Sequence, residues 1–157
     1  MRKLILVLAV VVALVTASAA FALAGPRLGG TFNVVGTIHA NDFGIPDGTT
    51  TPDVWKFTSK CRRGQCRTVK VDRDGGNHAH YKSTLTRVRK NVYKGTEGPY
   101  PYSCPDNAHS TFTAKHTIKI TKSKNGKATE FSGKSNVKIA NCGFASFVNY
   151  TLKGKMR

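Results

Sequence analysis

TFTAKHTIKITKSKNGKATEFSGKSNVKIA, Thr111–Ala140, alternates on both sides of a turn. In its first half Phe112, Ala114, His116, Ile118 and Ile120 share one parity, and threonines and lysines take the other. A period of two marks a strand with one buried face. Asn125-Gly126 sits at the centre. A tight type I′ turn needs positive φ at both central residues, so Asn-Gly between alternating runs signals a hairpin. In the second half, Ala128 to Ala140, Phe131, Val137 and Ile139 point inward, and Gly133 marks a bend in a long strand. The stretch predicts a long antiparallel hairpin.

Working outward, no segment between Gly25 and Arg157 carries a helical period, and short alternating runs recur instead. Gly30 to Ile38 places Phe32, Val34, Gly36 and Ile38 on one face. Val54 to Ser59 turns Trp55 and Phe57 inward. Gln65 to Asp72 does the same with Val69 and Val71, and Arg67 and Arg73 share that parity near its ends. His80 to Arg89 and Asn91 to Glu97 are joined tightly near Asn91. Ala145 to Lys155 follows Asn141-Cys142-Gly143 and points Val148, Tyr150 and Leu152 inward. The turn-rich HANDFGIPDGTTTPD, His39 to Asp53, reads as a long loop, and DRDGGN, Asp72 to Asn77, as a sharp turn. The three prolines and one glycine of GPYPYSCPDN, Gly98 to Asn107, are expected to break regular structure. Eight strands in sequential order leave two open edges unless the sheet closes. The expected fold is all-β: an eight-stranded antiparallel up-and-down barrel of the lipocalin or avidin type, with a β-sandwich as the alternative.

The chain opens MRKLILVLAVVVALVTASAAFALAGP. Arg2 and Lys3 precede an apolar run from Leu4 to Val15, and small residues follow, the order of a cleaved secretory signal. Residues 1–24 are read as the signal peptide, with Ala19 to Ala22 as alternative cut sites, and 25–157 as one secreted domain. A retained anchor is the rival, since Leu4 to Ala24 is uncharged and long enough to span a bilayer. Either way the folded part works outside the cytosol, secreted or in the cell envelope. About 133 residues suffice for one real core. Without Arg2 and Lys3 the chain keeps 23 basic residues against eight acidic ones, a net charge of about +15, spread along the domain rather than massed in a tail.

Cys61, Cys66, Cys104 and Cys142 are the four cysteines. An even count in a small exported domain favours disulfides, although four cysteines allow three connectivities. Cys61 and Cys66 enclose Arg62-Arg63-Gly64-Gln65, so a bridge there would staple a hairpin loop, and Cys104 would pair with Cys142 by default. The longer bridge encloses about 37 residues, on the order of 3–4 kcal/mol in the chain-entropy model. Zinc held by Cys61, Cys66, His78 and His80 is the rival. An oxidising compartment argues for crosslinks, and no metal is expected.

Gly30-x-Phe32, the long loop, Trp55-x-Phe57, Cys61-x4-Cys66 and a late cysteine before the last strand resemble the uncharacterised small secreted all-β proteins of Gram-positive bacteria. In those, a W-x-F strand precedes a cysteine-closed hairpin. The likeness is also distantly lipocalin- or calycin-like, with Phe32 where the usual opening has tryptophan. It implies fold and export, and no activity.

The chain has no G-x-S-x-G, H-E-x-x-H or P-loop pattern. Of its eight acids most lie in turn contexts, and Asp47 with Asp53 is the one pair that a long loop could aim across a cleft. No catalytic residue, enzyme activity or cofactor is expected. Tyr81, Tyr93, Tyr100 and Tyr102 form no recognisable RNP or OB pattern, so sequence-specific nucleic-acid binding is not expected either. Two binding roles remain. A small apolar or amphipathic ligand could lie in the barrel, gated by His39–Asp53 and contacted by Trp55, Phe57, His116 and Tyr150, with His116 either a core residue or a polar anchor. Alternatively Arg62 and Arg63, with Lys115, Lys119, Lys134 and Lys138 on outward parities, could bind an anionic cell-envelope polymer or lipid. A secreted hydrolase inhibitor presenting Arg62 to Gln65, or an unrecognised hydrolase, is the remaining alternative. The protein is expected to be a monomer.

Overall fold

The computed structural model describes residues 25–61, 64–74, 80–104, 109–140 and 146–157. The expected signal peptide therefore lies outside the described residues. Eight strands follow one another: β1 Gly30–Asn41, β2 Thr50–Thr58, β3 Thr68–Asp74, β4 His80–Arg89, β5 Val92–Ser103, β6 His109–Lys124, β7 Lys127–Ala140 and β8 Ser146–Met156. Each pairs antiparallel with the next, and β8 returns to β1, so the sheet is a closed up-and-down barrel. Closure satisfies the backbone edges that an open sheet would expose. At Asn125 (φ 51°) and Gly126 (φ 71°) both turn residues adopt the positive φ that a type I′ hairpin demands.

Besides β3, which runs on through Asp72 and Arg73 to Asp74 where a turn is expected from the sequence, two segments differ from the sequence reading. Gly98 does not end β5, which continues to Ser103 through Pro99 and Pro101. A bulge absorbs the irregularity: Glu97 faces Ala114 and Tyr100 faces Phe112, with Gly98 at φ 86° between them. Pairing with β4 stops at Ser83–Glu97, so the prolines lie where β5 has lost its β4 ladder. The Tyr100 hydroxyl partly replaces that ladder, accepting from Lys82 N at 2.6 Å and donating to Lys82 O at 2.7 Å. The second difference is β2, which starts at Thr50 and carries Pro52 opposite Val35, leaving only residues 42–49 as loop.

The interior is filled unevenly. At the end where β2 turns into β3, Leu28 of the N-terminal stretch is fully buried, pinned by Arg27 N–H to Gly126 O (2.8 Å) and Ala128 N–H to Arg27 O (2.9 Å). Above it Phe32, Phe57 and Phe131 meet at ring separations of 5.3–5.6 Å, with Trp55 6.0 Å from Phe57 and from Phe131. These rings close off one half of the barrel, and the other half is open.

Candidate functional site

Charged side chains occupy the boundary between the two halves. Asp53 precedes Trp55 and Phe57 at a spacing of two on β2, and Arg73 follows Val69 and Val71 in the same way on β3. Glu97 continues the parity of Tyr93 on β5, and His116 lies between Ala114 and Ile118 on β6. Strand alternation therefore aims all four into the barrel. Glu97 is 1% exposed and His116 2%, whereas the Arg73 and Asp53 side chains retain 16% and 13%.

Arg73 organises the layer. Its Nε donates to Glu97 Oε2 at 3.0 Å and its Nη2 to Glu97 Oε1, while Nη1 donates to Asp53 Oδ2 at 2.7 Å. The first two bonds make the bidentate fork that guanidinium and carboxylate share. The guanidinium also lies 5.3 Å from the Trp55 ring centroid and 5.2 Å from that of Tyr81, within cation–π range of both. Trp55 Nε1 donates to Asp53 Oδ2 at 2.8 Å, and Val54 N–H to Asp53 Oδ1 at 2.6 Å. His116 Nε2 sits 3.2 Å from Glu97 Oε2, although neither ring nitrogen makes a well-directed hydrogen bond; the contact is an electrostatic one.

The two carboxyls respond in opposite directions. Burial pushes Glu97 up, but the His116 contact and the Arg73 charge outweigh it and hold the group below the ordinary glutamate value. For Asp53 burial wins over Arg73, Trp55 and Val54, and its carboxyl is raised. Arg73 is itself raised: burial opposes its charge, and Glu97 and Asp53 more than compensate. Counting one guanidinium and two carboxylates, the layer carries one net negative charge before His116 is considered.

Above the layer a cavity of about 600 Å³ extends to the end of the barrel, where Phe43 and Ile45 of the β1–β2 loop and Tyr102 of β5 stand. Asp53, Arg73 and Trp55 form its floor. Its room comes from small inward residues, Gly36, Ser135, Val137 and Val148 among them. Tyr150 lines the wall, and burial raises its hydroxyl's pKa against the pull of Arg73.

Of the expected ligand contacts, Trp55 and Tyr150 line the cavity, Phe57 packs beneath among Phe32 and Phe131, and His116 lies under the floor behind Glu97. Asp53, Arg73 and Glu97 were not among the expected ligand contacts. Lys115, Lys119, Lys134 and Lys138 are exposed on the outside of β6 and β7. Arg62 and Arg63 lie outside the described residues. Cys61 and Cys66 form a disulfide, which removes both sulfurs from the zinc alternative. Cys104 is also disulfide-bonded, and Cys142, its expected partner, lies outside the described residues, as does His78. No protein-family model matches the chain, and no curated protein matches it.

Proposed function

We propose that the protein is an exported, non-catalytic binding protein that holds a small amphipathic molecule inside its barrel. One observation carries the reading: a cavity of about 600 Å³, aromatic-walled, lies over a polar floor in a barrel whose opposite half is occupied by the buried Leu28, Phe32, Phe57 and Phe131. That volume lies within the ordinary range for small-ligand pockets, which combine apolar walls with a few placed polar groups. A binding role fits the floor better than a reactive one, because Arg73, Asp53 and Glu97 spend their hydrogen bonds on each other. Trp55 is the chain's single tryptophan and forms part of that floor, so its emission reports occupancy. Titration with single-chain amphiphiles of graded length is expected to give a saturable, one-to-one change in Trp55 fluorescence that moderate salt leaves intact. Absence of any saturable change across the series would reject the reading.

A second reading, attachment to an anionic envelope polymer or lipid, is supported by the outer face of β6–β8. Lys115 faces Asn136, Lys134 faces Thr117 and Thr151, and Lys119 and Lys153 flank Ser132 from either side. Among the described residues of that face, only Lys122 meets an acid, Glu130 at 3.1 Å. Cationic surfaces of this kind bind polyanions through screened electrostatics. Retention on anionic vesicles that collapses as salt rises is the expected behaviour, and salt-independent retention, or none, would reject it.

A further inference from the structure

Leaving aside His116 beneath it, the layer under the cavity holds two carboxylates against one guanidinium, and this bears on what the cavity selects. The Nε–Nη2 fork of Arg73, the edge that would take a carboxylate, is filled by Glu97, and Nη1 is committed to Asp53. Trp55 and Tyr81 also lie within cation–π distance of the guanidinium. An anionic head group reaching the floor would therefore add a third carboxylate to a layer that already holds two against one guanidinium. A cationic head group would bring the sum of those charges to zero.

Asp53 is the group such a cation would meet. It lines the cavity, keeps 13% side-chain exposure, and remains raised above the ordinary aspartate value by burial despite its three donors. The walls suit the same ligand, since Phe43, Tyr102, Phe112 and Tyr150 surround the space and aromatic faces attract cations. The loop that overhangs the opening, residues 42–49, carries Asp42 and Asp47, both exposed, and no lysine or arginine.

We infer that the cavity takes an amphiphile with a protonated amine head, seated on Asp53 within the aromatic walls, in preference to the same amphiphile carrying a carboxylate. The inference rests on the ligand reading above and narrows it to one head-group class.

The test is a matched series of primary alkylammonium, alcohol and carboxylate of one chain length, titrated at neutral pH and fixed salt by Trp55 fluorescence. The ammonium is expected to bind roughly tenfold or more tighter than the alcohol, as a desolvated ion contact gives, and the carboxylate weakest. Asp53→Asn is expected to bring ammonium and alcohol together by removing the ammonium's advantage; circular dichroism checks that the variant is folded, and if it is not, the wild-type order decides alone. A carboxylate that binds as well as the ammonium overturns the inference, as does an ammonium no better than the alcohol, while the ligand reading stands in both cases. If all three compounds and a neutral aromatic probe leave Trp55 unchanged, both readings fall.

Discussion

Replacing Arg73 with methionine tests whether the barrel's middle layer works as derived. Methionine has a similar length and no charge, so the change removes the fork to Glu97 and the bond to Asp53 with little loss of volume. Glu97, 1% exposed, is then left as a buried carboxylate with His116 as its remaining contact. Breaking a buried pair from one side costs about 3–5 kcal/mol. For a domain of this size that corresponds to a fall in Tm of roughly 10–15 °C. The pH dependence adds a second signature. In the native protein Glu97 is lowered, so its contribution is fully present above the ordinary glutamate value and is lost as pH falls through its lower folded value. Asp53 is raised, so it opposes folding at neutral pH and the penalty fades as pH falls through its raised value. Without Arg73, Asp53 loses two of the influences that lower it and Glu97 keeps only His116 against its burial, so the folded state holds protons more strongly than it does in the wild type. Relative to the wild type, the stability of the variant is then expected to gain on mild acidification. Thermal melts followed by circular dichroism at neutral pH and at about pH 5 measure both effects. A variant within about 1 kcal/mol of wild type, or one showing no such gain on acidification, refutes the account.

Three further substitutions probe the frame. At Gly154 any added Cβ would fall on the ring of Phe131, so Gly154→Ala is expected to cost about 1–3 kcal/mol, and Phe131→Leu in the same chain to recover part of it in urea melts. Leu28→Ala opens a void at the packed end and is expected to cost about 2–5 kcal/mol, with no effect on ligands that enter from the other end. Removing the Cys61–Cys66 bridge by double alanine substitution is expected to cost about 2 kcal/mol at most, because the enclosed loop is short; a larger loss by equilibrium unfolding would mean the bridge holds more than its loop.

Much of the barrel could be read from alternation, because parity survives in a sequence without any knowledge of neighbours. The β6–β7 hairpin is the clearest instance: Ala114, His116, Ile118 and Ile120 are buried and the intervening lysines exposed. Parity also contained the charged layer. Asp53-x-Trp55-x-Phe57, Val69-x-Val71-x-Arg73 and Tyr93-x-Gly95-x-Glu97 each place a charge on the apolar side of a strand. Turn chemistry masked two of them, since Asp53 follows Pro52 and Glu97 precedes Gly98-Pro99, where an acid reads as a loop residue. The pairing itself was beyond local reading. Arg73 on β3 reaches Glu97 on β5 over the inner face of β4, and only the strand order and register bring two residues 24 positions apart within reach. The cavity was equally hidden, because empty space depends on which side chains fail to meet.

The size gradient along the strands explains why the charges lie where they do. On β1 the inward series narrows from Phe32 at the packed end to Gly36 beside the cavity before Ile38, and on β7 it narrows from Phe131 to Ser135 and Val137 before Ile139. Where large side chains give way to small ones, polar groups can face open space on one side and apolar packing on the other. Apolar residues at these positions would pack the barrel more simply, and replacing a buried ion cluster outright is often neutral or stabilising by about 1–4 kcal/mol. A chain carrying Arg73→Met, Asp53→Leu, Glu97→Leu and His116→Leu together is therefore expected to fold at least as stably as wild type, although Arg73→Met alone is not. It should still take up neutral apolar probes, detected by Trp55, yet lose all discrimination between amine and alcohol heads. Loss of the folded barrel in the fourfold variant would mean that the layer specifies the structure itself, and retained head-group selectivity would mean that the floor is not where selection occurs.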